Sequence, residues 1–148
     1  ASGKPYARYV QEELFGRLGL AHTRYESNAD IIPGRAQGYT LKDGKLANDK
    51  AIGADVPGAA GSLLSTATDL VRWEIALSAG MAVNPESYAQ MTTGAVLANG
   101  EETHYGFGLA IKDWEGRRRI SHGGGIFGFT SEPLLLLSGG QSTITLAP

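Results

Sequence analysis

Arg117-Arg118-Arg119-Ile120-Ser121-His122-Gly123-Gly124-Gly125-Ile126-Phe127-Gly128-Phe129-Thr130-Ser131-Glu132 changes character at His122. The five residues before it read as a short strand. The residues after it are dominated by glycine, which leaves a face where a backbone or a small molecule can approach closely. Upstream, Tyr105, Phe107, Leu109 and Ile111 alternate with Gly106, Gly108 and Ala110. That period of two predicts a strand with one bulky and one bare face. With Asp113-Trp114-Glu115-Gly116 as the turn, Tyr105–Ile111 is predicted to pair antiparallel with Arg117–Ser121, leaving His122 at the hairpin's end. Two further strands are predicted, Thr130 to Leu137 and Ser142 to Leu146, around Ser138-Gly139-Gly140-Gln141.

Outward from this region the pattern turns helical. Tyr6, Val10, Leu14 and Leu18 recur at three- to four-residue spacing, so Pro5 to Leu18 is predicted as an amphipathic helix stopped by Gly19. Glu13 and Arg17, one turn apart, are expected to pair. Thr66 to Ala79 is a second helix, with Thr66 and Asp69 forming a capping box and Leu70, Trp73 and Leu77 an apolar stripe. Gly80 ends it. Asn84-Pro85-Glu86 opens a third helix through Met91, ended by Gly94. Between Ala21 and Gly61 the chain is irregular, except that Asp43-Gly44 suits the tight turn of a hairpin between Gly38–Leu41 and Lys45–Ala47. Helices first and antiparallel strands later indicate the α+β class.

The chain has 148 residues, 42% of them hydrophobic and 19% charged, which suffices for one globular domain with a core. A net charge of −2 argues against nucleic acid or an anionic membrane as a partner. No apolar run approaches the ~20 residues of a membrane span. The absence of cysteine excludes disulfides and thiolate metal sites. His22, His104 and His122 are the only histidines, and none has a partner at ligand spacing. No metal and no cofactor are therefore expected.

Gly123 to Gly128 matches G-x-G-x-x-G, but a dinucleotide site needs a helix after it and an acid some twenty residues on, and neither follows. Glycines beside a strand fit acyl chemistry better, because their exposed amides can stabilise an oxyanion. His122 could donate to a substrate or orient a neighbour. The residues alone leave open a plainer reading, a glycine-rich turn with a surface His. Arg117-Arg118-Arg119 is read as a solvated strand edge, although Arg118-Arg119-Ile120-Ser121 also resembles a short basic kinase site. Ser62, Ser65 and Thr66 lie in a glycine-led loop with no Ser-x-x-Lys, so capping is the better account of Thr66.

Several segments in order resemble the serine β-lactamase-like and penicillin-binding-protein-like hydrolases, especially the class C, esterase and D-peptidase branch. They are Gly3-Lys4-Pro5-Tyr6-Ala7 through Leu20, His22-Thr23-Arg24-Tyr25, Ala36-Gln37-Gly38-Tyr39, Ala59 through Leu70, Tyr105-Gly106-Phe107-Gly108-Leu109, and His122-Gly123-Gly124 with Gly128 through Glu132. The resemblance implies an α/β sandwich with an antiparallel sheet, flanking helices and a helical and loop subdomain. It also implies attack on an acyl carbonyl by the serine of a Ser-x-x-Lys motif, assisted by a Tyr-x-Asn tyrosine. Neither motif occurs here, and both would lie before residue 1. Residues 1–148 are accordingly read as a single partial domain, the C-terminal portion of such a hydrolase.

The third family motif, Lys-Thr-Gly or a variant, maps onto His122, Gly123 and Gly124. The strand-borne oxyanion amide maps onto Gly125. Histidine in place of lysine removes the permanent cation that would grip a β-lactam carboxylate. The expected function is one wall of a serine hydrolase acting on an ester, a D-peptide or a β-lactam. The expected partners are a small-molecule acyl substrate and the N-terminal part of the same domain. The resemblance implies a periplasmic or secreted setting. The alternatives are a non-catalytic binding module or degenerate homologue that keeps the pocket wall, and a purely structural α+β domain.

Overall fold

The computed structural model describes residues 2–50, 53, 56–131, 135–137, 141–143 and 146–147. Helix α1 (Tyr6–Val10) continues into a π-helical turn, Gln11–Phe15. The amide of Gly16 bonds the carbonyl of Gln11 at 3.0 Å, five residues back. This wider turn moves the buried face from a spacing of four to one of five. Val10 and Phe15, not Val10 and Leu14, are the buried pair. With Leu20 they form a core cluster, against which Leu14, Leu18 and Trp73 pack. The same shift separates Glu13 from Arg17, correcting the expected pair. Lys4 takes Glu13 at 2.6 Å, while Arg17 donates to the carbonyls of Met81 and Ala82. Gly19, at φ 68°, provides the left-handed stop.

Strand β1 (Arg24–Tyr25) pairs with β4 (Leu63–Leu64). Between them lies the hairpin of β2 (Tyr39–Lys42) and β3 (Lys45–Asn48), with Lys42 opposite Lys45. Its two turn residues, Asp43 and Gly44, have φ of 50° and 76°, as a type I′ turn requires. Helix α2 (Ala67–Ser78) starts at Thr66, whose hydroxyl accepts from the amide of Asp69 at 3.2 Å. The other half of the capping box does not form. Asp69 is fully buried and instead accepts from the His22 amide (2.7 Å), the Thr23 hydroxyl (3.1 Å) and Arg72 (3.0 Å). It thereby ties α2 to the segment after α1. Helix α3 (Pro85–Met91) is capped by Asn84, whose side-chain oxygen accepts from Ser87 at 2.8 Å.

The glycine-rich half is antiparallel throughout the described strands. β5 (Ala110–Trp114) pairs with β6 (Arg117–Ser121), Trp114 opposite Arg117, around Glu115 and Gly116 at φ of 54° and 73°. Of the predicted partner Tyr105–Ile111, only Ala110 and Ile111 pair with Arg117–Ser121, in a strand that begins at Ala110 and runs on to Trp114. Tyr105 to Gly108 is a turn, in which Gly106 bonds Leu109 and Phe107 bonds Met91. A Cβ at Gly106 would collide with the Met91 carbonyl. The bare positions thus let α3 approach, but they bend the chain as well. Leu109 and Ile120 form the core here, with Met91 packed against them.

β6 also pairs with β9 (Leu135–Leu137), which pairs with β10 (Gln141–Thr143), completing a four-stranded sheet in the order β10-β9-β6-β5. A second sheet holds β7 (Gly124–Ile126), β8 (Phe129–Ser131) and β11 (Leu146–Ala147) in the order β11-β8-β7. The segments predicted as two continuous strands, Thr130 to Leu137 and Ser142 to Leu146, are therefore each shared between two sheets. Residues 132–134, 138–140 and 144–145, which those predictions include, lie outside the described residues. No helix among the described residues is long and apolar enough to cross a membrane.

Candidate active site

The two sheets meet at His122-Gly123. β6 ends at Ser121, which is buried, and β7 begins at Gly124. The sequence folds this way because β6 is anchored on both sides by β5 and β9, while Gly123 and Gly124 bring no side chain that would hold the next residues to the same layer. His122 is exposed at this junction. Its ring lies 6.2 Å from that of Tyr105, tilted by 59°. Tyr105 reaches this position through the turn that the Gly106–Met91 approach creates.

β7 and β8 form a tight hairpin. Ile126 faces Phe129 across Phe127-Gly128, Gly125 faces Thr130, and Gly124 faces Ser131. Residues flanking a two-residue turn are a hydrogen-bonded pair, and antiparallel pairs alternate. Gly125 and Thr130 are therefore a non-hydrogen-bonded pair. The N–H of Gly125 points away from β8, off the edge of the sheet that β7 forms. Ser131 donates to the carbonyl of Gly124 at 3.2 Å and closes the hairpin's base.

The hairpin's tip meets the open end of the β2–β3 hairpin. Gly128 stands at φ 74°, and a Cβ there would fall 2.6 Å from the backbone of Gly38 and Tyr39. The Tyr39 amide donates to the Gly128 carbonyl at 3.3 Å. This backbone-on-backbone contact walls a groove of about 550 Å³. Tyr39, Thr40 and Asp49 line one side, and Gly125 to Thr130 the other.

Of the four residues singled out from the sequence, Gly125 lines the groove and Gly124 pairs at its base. His122 and Gly123 sit at the sheet junction beside them. Tyr39 belongs to a segment that the sequence had marked, whereas Asp49 carried no signal at all. Ser62 is fully buried, the Ser65 hydroxyl lies 2.8 Å from that of Thr23, and Thr66 caps α2. His22 and His104 are both loop residues. Among the described residues, no three His, Cys, Asp or Glu side chains gather as a metal ion requires.

Known proteins share this fold. The family model described as Beta-lactamase matches residues 1–133. PbpX of Bacillus subtilis (strain 168), a penicillin-binding protein by name, is 26% identical over 110 residues, which are 74% of this chain and 27% of that one. A penicillin-binding protein from Bacillus halodurans superposes with a TM-score of 0.83 at 21% identity, covering 99% of this chain and 45% of its own. A D-stereospecific amidohydrolase from Streptomyces sp. gives 0.80 at 23% identity, with 99% and 44% covered. D-amino acid amidase from Ochrobactrum anthropi SV3 gives 0.74 at 23%, with 98% and 44% covered. The fold is that of the β-lactamase and penicillin-binding proteins, and the chain spans less than half the length of these relatives.

Proposed function

The chain belongs to the beta-lactamase family, and from that premise we propose that it forms the glycine-strand wall of an active site for acyl-serine hydrolysis. Residues 1–148 are a partial domain in this reading, and the Ser-x-x-Lys serine and Tyr-x-Asn tyrosine belong to the rest of the complete enzyme. The substrate is an ester, a D-peptide or a β-lactam. The names of the similar solved proteins, two of them D-specific amide hydrolases, favour the amide side of that range.

The observation that carries the reading is the orientation of Gly125. Its amide leaves the sheet edge beside an open groove, where it can donate to an acyl oxygen as negative charge develops. Gly123 and Gly124 keep the approach free of side chains. His122 is the substrate-side hydrogen-bonding residue, neither nucleophile nor main base. Its imidazole replaces the fixed cation of a Lys-Thr-Gly motif, so a substrate carboxylate is gripped less firmly than in a β-lactamase.

The test is acylation of the complete enzyme by a fluorescent penicillin or a fluorophosphonate, followed by mass analysis. A stoichiometric adduct on the Ser-x-x-Lys serine is expected. A complete enzyme that has both motifs and forms no adduct would return the chain to a non-catalytic module.

A further inference from the structure

The groove beside Gly125 has a composition of its own. Asp49 is the only charged residue among the described residues that line it. Three aromatic residues line it, Tyr39, Phe127 and Phe129, and each stays partly exposed, at 45%, 55% and 36%. These rings are not filling a core. Asp49 is placed just beyond β3, where its amide donates to the Gly38 carbonyl at 2.9 Å. One carboxylate oxygen accepts from the Lys50 amide at 2.7 Å, which orients the group. Lys50 itself does not line the groove.

A carboxylate among aromatic residues, with no cation among the described residues that line the groove, selects by sign. An ammonium donates a charge-assisted hydrogen bond to the carboxylate and is attracted by aromatic ring faces. A carboxylate ligand meets repulsion and no donor side chain other than hydroxyls. We propose that this groove binds an ammonium-bearing end of the acyl substrate, with Asp49 as its charge partner and the aromatic rings as its walls. The inference rests on the acyl-hydrolase reading only for the word substrate, because the groove opens at Gly125. Its recognition chemistry is independent of any nucleophile.

The experiment uses benzylamine, protonated at neutral pH, against benzyl alcohol and benzoate as neutral and anionic controls of similar shape. Each is titrated into the full 148-residue chain while backbone amide resonances are followed. Benzylammonium is expected to shift the amides of Tyr39, Asp49 and Gly125–Thr130, and to bind about three- to tenfold more tightly than benzyl alcohol. Benzoate should bind least. Asp49→Asn should remove the preference for the cation, Asp49→Glu should retain it, and added salt should weaken it. Equal binding of all three probes, tighter binding of benzoate, or shifts that avoid these residues would overturn the proposal. Should Asp49→Asn fail to fold, the ranking of the three probes on the parent chain still decides it. The readout needs no acyl transfer, so a complete enzyme that never acylates would defeat the functional reading while leaving the groove's preference standing.

Discussion

His122 owes its position to the backbone. It follows a strand paired on both sides, and its described ring contact is Tyr105. In the complete enzyme, His122→Ala is expected to lower kcat/KM about ten- to a thousandfold, the loss associated with one positioned donor or acid–base aid. The acyl-serine should still form, slowly, and His122→Lys should recover part of the rate. Unchanged kinetics in a folded variant would make His122 a plain surface residue. Asp69 is a different kind of residue, buried and structural. Burial pushes its pKa up, but the His22 amide, the Thr23 hydroxyl and Arg72 together hold it below the ordinary Asp value. A carboxyl with a lowered folded-state pKa stabilises the fold above its unfolded value of about 4, and that contribution disappears as the pH falls through the folded value. Asp69→Asn should therefore cost about 1–3 kcal/mol near neutral pH, with the difference from the parent shrinking in acid. Thermal melts at several pH values check this.

At the scale of elements, the contact between the two hairpin ends sets the groove. Gly128→Ala must place a Cβ on the Gly38 backbone and also holds a non-glycine residue at φ 74°. A cost of about 1–3 kcal/mol and loss of the groove are expected. Gly44→Ala is the control, because its φ of 76° is as strained but its Cβ would meet nothing within 4 Å. It should cost about 1 kcal/mol and leave the groove's amide shifts alone. Equal effects from both would show that conformation, not contact, governs Gly128.

The same elements show which features can be read from sequence. Asp43-Gly44 was legible because residue type encodes the turn's own φ; the turn within Asp113–Gly116 was legible through Gly116, although Asp113 and Trp114 belong to β5; and the Thr66 and Asn84 caps were legible because the hydroxyl or amide acts within three residues. The turn at Gly106 was not. Its alternation with bulky neighbours imitates a strand, and only the distant Met91 carbonyl makes it bend. His122 and its glycines were visible as a motif. Asp49 was invisible, since the groove exists only where residues far apart in sequence fold together.

For the molecule as a whole, several of the serines that the structure describes are already engaged or enclosed. Ser62 is buried, Ser65 is bonded to Thr23, and Ser131 to Gly124. With no Ser-x-x-Lys in the sequence, this chain by itself should give no stoichiometric adduct with a fluorophosphonate. Intact mass would detect one on any serine and so refute the expectation. The chain's length carries a further consequence at the π-helical turn. A five-residue step between Val10 and Phe15, in a helix that otherwise repeats at four, has the form of one surplus residue accommodated without moving the core. Deleting a single exposed residue there, Glu12 for example, should leave Val10 and Phe15 four apart and regularise the helix. A 147-residue protein with the same buried cluster is the expected product, so this helix can absorb an insertion or deletion that would put a strand out of register.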